Sequence, residues 1–386
     1  MTTTVLVAYA PGLGHCNTIL PLAEEFARRD NCTVHLCGSR AVAQRAGIHT
    51  LRVTHHRTGP EGFLRTSADG LRDHEVVAEM GRLSRRDVTN LIHEIQPDLL
   101  VCDTSERGAV LAALDCDVPV LRVVSCADAA TKSGSIEEAR RRALIRGYAH
   151  DDLGSPLNLG TVAFGPSSFF QDRAPTEDLT CYRYRPPTTA PLPFVAPIRP
   201  RAVINFGTFV TEPTPVMFES IFAGLADAGI RAIACKIRDS VTRSRVQQHA
   251  ELVSARTDCD ITVTEELNPR QYLPHADILL CHGSATSTLE ALYHRVTPII
   301  APTHNDTYFV ARQCARVHAA VVICWGSDFS SAAIRRATIA AMCSSDVQAG
   351  VARFHHDNDN LPSTSDLIDQ LIGRDWVAAR PNRGEA

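Results

Sequence analysis

The chain has 386 residues, 44% of them hydrophobic, and a formal net charge of -4. That length is enough for two domains, each able to bury its own core against the entropy of folding. With no basic excess and no Lys/Arg cluster interleaved with aromatics, a nucleic-acid polymer is excluded as the expected partner, and a small substrate fits better.

The Met1 end has no basic segment before its short apolar stretch, and nowhere do about 18 apolar residues run together as a membrane span requires. A cytoplasmic protein with no membrane partner is expected. The 13 cysteines are odd in number, spread from Cys16 to Cys343, and form no Cys-x-x-Cys pair, which argues against a disulfide framework and a zinc site alike. Cys102, Cys235 and Cys281 sit in apolar runs, where cysteine serves as a small hydrophobe.

Short apolar, β-branched runs alternate with longer helical patterns from the first residues onward. Val5-Ala8 reads as a strand and leads into Pro11-Gly12-Leu13-Gly14-His15, a turn, and then a helix toward Phe26. The Gly-x-Gly here lacks the third glycine and the later acidic residue of a dinucleotide fingerprint, so nicotinamide binding is not expected. Further strands are predicted at Thr33-Cys37, Leu99-Cys102 and Val118-Val124. A run rich in proline from Arg185 to Pro200 then excludes both helix interior and central strand. The same grammar restarts at Val203-Phe206, Ala232-Lys236, Ile278-Cys281 and Ile299-Ala301. The pattern predicts two doubly wound parallel α/β domains, residues 1–190 and 201–386, joined by a linker at 191–200. Ligands of such folds sit beyond the carboxyl ends of the strands, so the loops after Ala8, Cys102, Phe206, Cys281 and Ala301 are where chemistry is expected.

Two of those loops carry distinctive residues. Ile278-Leu279-Leu280-Cys281 runs into His282-Gly283-Ser284-Ala285-Thr286-Ser287-Thr288-Leu289-Glu290, an apolar strand meeting a helix start rich in small and hydroxyl residues. Unpaired N–H groups and the helix dipole make such a start a phosphate site; ordinary capping by Ser284 or Thr286 is the alternative. His15 follows the first strand and Asp103 ends a neighbouring one. A histidine there could accept a proton from a nucleophile, with the carboxylate fixing its tautomer; the plainer readings are a capping histidine and a helix N-cap.

The acidic pairs Asp115-Cys116-Asp117, Asp258-Cys259-Asp260 and Asp357-Asn358-Asp359 read as turns, the last in a polar loop. His55-His56 and His355-His356 are adjacent pairs whose rings would point to opposite faces of a strand, so no shared metal is expected.

The run from His282 resembles the donor-binding signature of family 1 glycosyltransferases, H-G-G-A-G-T-T-L-E-A-L in bacterial members. Asp306-Thr307 stands where that family carries an Asp-Gln pair, and Leu267-Asn268-Pro269-Arg270-Gln271 through Asp277 is similar to its W-V-P-Q-x-x-L-L-P-x-A-D. Gly14-His15-Cys16-Asn17-Thr18-Ile19-Leu20-Pro21-Leu22 is similar to G-H-x-N-P-x-L-P-L. The resemblance covers most of the chain, although 57–88 and 125–191 match nothing and are expected to hold the acceptor pocket.

The resemblance implies a GT-B fold, two Rossmann-like domains facing a cleft, with the last helix crossing back to the N-terminal domain. It implies an inverting, metal-independent glycosyltransferase that moves a sugar from an NDP-sugar to a small natural-product acceptor, with no cofactor. His15 and Asp103 would be the catalytic base dyad. The donor set would be Gly14, Thr208, Pro269, Arg270, His282, Gly283, Ser284, Ala285, Thr286, Ser287, Glu290, Asp306 and Thr307. His282, Ser287 and Thr208 would meet the diphosphate, Glu290 the ribose and Asp306 the sugar. Thr307, Ser284 and Thr286 depart from the family's residues and the tryptophan that supports the base is absent. A homodimer is compatible with this reading. A nucleotide-sugar epimerase on the same plan, or a non-catalytic nucleotide-sugar-binding or activator protein, are the alternatives. The arginine-rich composition, with Lys132 and Lys236 the lysines, is associated with a bacterial natural-product (antibiotic) pathway.

Overall fold

Consecutive buried apolar residues without polar alternation can only satisfy both faces inside a parallel sheet covered by helices. The computed structural model builds such sheets, and it describes residues 2–10, 13–38, 52–55, 73–125, 157–170, 179–187, 201–207, 214–265, 269–303, 305–325 and 329–372. The chain divides into two compact units, one comprising Met1–Ser167, Arg173–Arg183 and Leu361–Ala386, the other Ser168–Asp172 and Tyr184–Asn360. The expected linker, 191–200, lies outside the described residues.

The first unit runs β1 (Thr3–Ala8), α1 (Leu13–Ala27), β2 (Cys32–Gly38), β3 (Arg52–His55), α2 (Asp73–Ile95), β4 (Leu99–Asp103), α3 (Arg107–Asp115), β5 (Val120–Val123) and β6 (Asn158–Phe164). It continues, after a one-turn helix α4 (Ser167–Phe170) of which Ser168–Phe170 belong to the second unit, with β7 (Leu179–Tyr182). The sheet is parallel, in the order β3-β2-β1-β4-β5-β6-β7. Strand order therefore reverses at β1, whose neighbours are β2 on one side and β4 on the other. All five residues of β4 are buried. On one face Val88, Leu91, Ile92 and Ile95 of α2, a helical stripe, pack with Ala109, Ala112 and Ala113 of α3 onto Leu6, Ala8, Leu100 and Cys102.

The second unit repeats the plan: β8 (Arg201–Asn205), α5 (Pro215–Asp227), β9 (Ala232–Lys236), α6 (Ser240–Arg256), β10 (Asp260–Thr264), α7 (Pro269–Tyr272), a 3-10 turn Leu273–His275, β11 (Ile278–Cys281), α8 (Ala285–Tyr293), β12 (Thr297–Ile300), α9 (Asn305–Arg316), β13 (Val321–Val322), α10 (Ser331–Cys343) and α11 (Ser345–Asp359). The parallel order is β10-β9-β8-β11-β12-β13, with its reversal at β8. Thr214, with Pro215 following it, caps α5, and Asp239 accepts from Thr242 N–H at 2.6 Å to cap α6. The last described helix, α12 (Thr364–Ile372), belongs to the first unit. Its Leu367, Ile368 and Leu371 are buried, and Asp369 meets Arg29 of α1 at 3.0 Å.

All eight strands expected from the sequence are present, each within two residues of its predicted ends, but three local readings need correction. Asp357-Asn358-Asp359 is not a loop: it closes α11, and Val351, Phe354 and Asn358 share that helix's buried face. Asn358 accepts from Tyr184 N–H at 2.8 Å and donates to Tyr184 C=O at 3.2 Å, so its amide satisfies the buried backbone of the segment after β7. His355 and His356 lie on the same helix rather than a strand, and His355 pairs with Asp359 at 3.1 Å. Asp260, read as part of a turn, opens β10 and pairs with Ala232. Asp115 ends α3, and Cys116 and Asp117 form the turn after it, with Asp117 at φ 53°. Of the His55-His56 pair, His55 ends β3 and His56 lies outside the described residues.

The described cysteines are free thiols, seven of them buried. Among the described residues no helix is long and apolar enough to cross a membrane, and no group of three or more His, Cys, Asp or Glu could hold a metal ion.

Candidate active site

In the first unit the polar residues gather where the strand order reverses. Asp103 ends β4 with its side chain wholly buried, which is tolerable for a carboxylate only if its oxygens are satisfied. They are. Oδ2 accepts from the N–H of Ala10 at 2.5 Å, just past β1, and Oδ1 accepts from the N–H of Ser105 at 2.8 Å and from the Ser125 hydroxyl at 2.9 Å. His15, in the first turns of α1, brings Nδ1 to 3.3 Å from Oδ1 of Asp103 and 3.1 Å from Oγ of Ser125. Its ring remains 31% exposed. Burial pushes the Asp103 carboxyl up, but the His15 ring beside it and the bonds donated by His15, Ala10 and Ser105 outweigh burial and hold it below its usual value. Asp103 is thus a fixed negative charge beneath an accessible imidazole. Gly14, beside His15, is exposed and its carbonyl accepts from the Thr18 hydroxyl at 2.9 Å.

Ser125, which the sequence does not single out, lies just beyond β5, the neighbour of β4, at the same carboxyl edge of the sheet as His15 and Asp103.

In the second unit three loops converge beyond the sheet. His282 leaves β11 buried, against Gly207 at the exit of β8: a Cβ on Gly207 would lie 2.6 Å from Cε1 of His282, and Gly207 holds φ +82°. Gly283, at φ +89°, leads to Ser284, the N-cap of α8, whose Oγ accepts from Ser287 N–H at 3.4 Å and donates to Ser287 Oγ at 3.0 Å. The capping alternative for Ser284 is thus observed, while Thr286 lies inside the helix. Ala285, Thr286 and Glu290 are buried along α8. Asp306, half-buried, opens α9 after β12. Thr307 is buried: its Oγ1 accepts from Thr303 N–H at 3.0 Å, and its carbonyl would stand 3.3 Å from a Cβ on Gly283. Thr208 lies outside the described residues, as do the side chains of Pro269 and Arg270.

The closeness of Gly207 and His282 carries a testable consequence. Gly207→Ala places a methyl where the imidazole lies and strains a left-handed backbone by roughly 1–2 kcal/mol. Gly229 has the same backbone sign, at φ +95°, but nothing within 4 Å of its added Cβ. Both alanine variants are expected to lower the urea midpoint, and only Gly207→Ala to weaken nucleoside diphosphate binding, by about tenfold or more. Equal binding by the two in calorimetry would mean that the ring's position does not matter to the ligand.

No protein-family model matches the sequence. No curated protein matches it either. Solved structures do, over nearly the whole chain. The spinosyn forosaminyltransferase SpnP is 18% identical, with a TM-score of 0.73, covering 97% of this chain and 99% of that one. The glycosyltransferase SnogD from Streptomyces nogalater is 15% identical at a TM-score of 0.73, covering 97% and 99%. The spinosyn rhamnosyltransferase SpnG, complexed with thymidine diphosphate, is 15% identical at 0.72, covering 96% and 100%. The fold is GT-B. In GT-B terms the first unit is the N-terminal Rossmann-like domain, carrying His15 and Asp103, and the second is the C-terminal one, carrying the helix start after His282.

Proposed function

We propose that this chain is an inverting, metal-independent glycosyltransferase that moves a sugar from a nucleoside diphosphate onto a small natural-product acceptor. The observation that carries the reading is the His15–Asp103 pair: a partly exposed imidazole whose Nδ1 faces a buried carboxylate held ionised by three donated bonds. An acceptor hydroxyl, amine or thiol gives its proton to His15 as it attacks the anomeric carbon, and Asp103 stabilises the imidazolium that forms. Attack from the side opposite the leaving group inverts that carbon. The diphosphate would leave with its negative charge met by the helix dipole of the α8 start, with His282 and Ser287 as its partners there and Thr208 as the further donor the sequence resemblance implies. One well-placed donor to such a leaving group is worth about 3 kcal/mol in the transition state. Glu290 would hold the ribose and Asp306 the sugar. The helix dipole stands in for a metal ion, and the thiol content suits a cytoplasmic setting.

The nucleotide is tested first. Calorimetry of UDP, TDP, GDP and ADP without added metal is expected to single out one, and the thymidine diphosphate bound by a structural relative makes TDP the first to try. Binding of none, with or without magnesium, would sink the donor half of the proposal. Consumption of the matching sugar nucleotide without any acceptor would point to an epimerase instead.

A further inference from the structure

Asp103 and His15 do not meet alone. Ser125, from the exit of β5, stands between them: its Oγ is 2.9 Å from Asp103 Oδ1 and 3.1 Å from His15 Nδ1, closer to the ring than the carboxylate oxygen at 3.3 Å. A hydroxyl has one proton, and the ionised carboxylate has none to give, so the Ser125 proton goes to Asp103. The oxygen that remains can only accept from His15, which requires the proton of the ring to sit on Nδ1. A second hydroxyl, Ser105 Oγ, lies 3.4 Å from Ser125 Oγ and can satisfy its other lone pair. The ring is therefore gripped from two strands, β4 through Asp103 and β5 through Ser125.

We propose that Ser125 is a positioning residue for His15: it shares the Nδ1 proton with Asp103, fixing the ring's tautomer and angle, and it takes up part of the carboxylate's hydrogen-bonding capacity. This rests on His15 being the base. The second effect gives the proposal a direction. Without the Ser125 hydroxyl, more of the Asp103 charge is available to the ring, so the imidazolium is favoured. Besides Asp103 and His15 themselves, the ionisable groups coupled to this cluster include Glu106, behind Asp103, and the buried Cys102 thiol, which in turn faces Arg122.

The experiment compares Ser125→Ala and Ser125→Thr, the second keeping a hydroxyl. In Ser125→Ala, kcat is expected to fall about tenfold, the worth of one neutral hydrogen bond, with KM for the sugar nucleotide unchanged. The acid limb of its kcat profile moves to higher pH, and Ser125→Thr restores both. NMR titration of the His15 ring, read without any substrate, is expected to show the same upward movement in Ser125→Ala and its return in Ser125→Thr. That arm stands even if the protein transfers no sugar, so a failure of the proposed function would be told apart from a failure here. In the wild-type protein the neutral ring is expected to carry its proton on Nδ1. A proton on Nε2 instead would overturn the proposal without any variant, and so would an unmoved titration in Ser125→Ala or a loss of kcat that threonine does not recover.

Discussion

His15→Ala is expected to abolish sugar transfer while leaving nucleoside diphosphate affinity within about tenfold, roughly 1.4 kcal/mol. The two halves of that result come from different units. Transfer fails because general-base catalysis contributes about 10²–10⁴ in rate and no other described side chain is placed above Asp103 to take the proton. Affinity survives because the donor residues, His282 through Glu290, lie on β11 and α8 of the other unit. Folding should survive too, since the ring is 31% exposed and the carboxylate beneath it keeps its bonds from Ala10, Ser105 and Ser125. Asp103 is the poorer target. Both its oxygens accept from backbone N–H groups, so the NH2 of an asparagine would face a donor whichever way the amide turned, and the loss of activity would be mixed with a loss of structure. Initial rates with the identified donor, beside calorimetry of the same variant, decide the matter: an active His15→Ala enzyme removes the base assignment, and one that no longer binds nucleotide makes the variant a structural lesion.

Parts of this site were legible in the sequence for a physical reason. Residues that end buried parallel strands sit at the carboxyl edge of the sheet whatever else the chain does, so His15, Asp103 and His282 could be placed from the apolar runs before them. Ser125 could not be read as part of the dyad. A serine after a strand looks like any other loop residue, and its role depends on an oxygen reaching partners far away in sequence on neighbouring elements. Five strands were missed for similar reasons. β13 is two residues long, β10 alternates exposed and buried side chains from an aspartate, and β6 includes Asn158 and Gly160, residues that weaken a strand pattern. Asn358 shows the opposite error. Its polar neighbours suggested a loop, but helical spacing puts it on the face of Val351 and Phe354, and burial there is decided by register rather than by composition.

Glu106, an acidic residue that no motif marks, is expected to make folding stability depend on pH. It precedes α3, its backbone N–H bonds to the carbonyl of Asp103 at 3.0 Å, and its carboxylate is 3% exposed with one hydroxyl partner, Ser84 of α2, at 2.5 Å. Among the described residues the one cationic influence on it is that of His15, which is too weak to offset its surroundings. Burial pushes its pKa from 4.5 to about 7; the Asp103 charge adds to the rise, while the bonds from Ser84 and the N–H of Ala109 and the pull of His15 oppose it. The folded state therefore holds a proton that the unfolded chain gives up between about pH 4.5 and 7. Across that window the unfolded state binds fewer protons, so stability falls as pH rises, by about 3 kcal/mol in all, and levels off above it. The Asp103 contribution runs the other way, since its carboxyl is held low and is lost only in acid, below the window. Glu106→Gln keeps the shape and an acceptor for Ser84 but cannot ionise. Relative to the wild type, it should be no more stable at pH 5 and more stable at pH 8, by about 1–2 kcal/mol once the cost of the extra N–H donor is set against the charge removed. Urea unfolding of both proteins at the two pH values measures the difference, in which the titration of every other group cancels to first order. Parallel behaviour of the two would mean that Glu106 is ionised in the folded protein and that a second buried negative charge sits behind Asp103, in which case the dyad would be the more strongly biased toward the imidazolium.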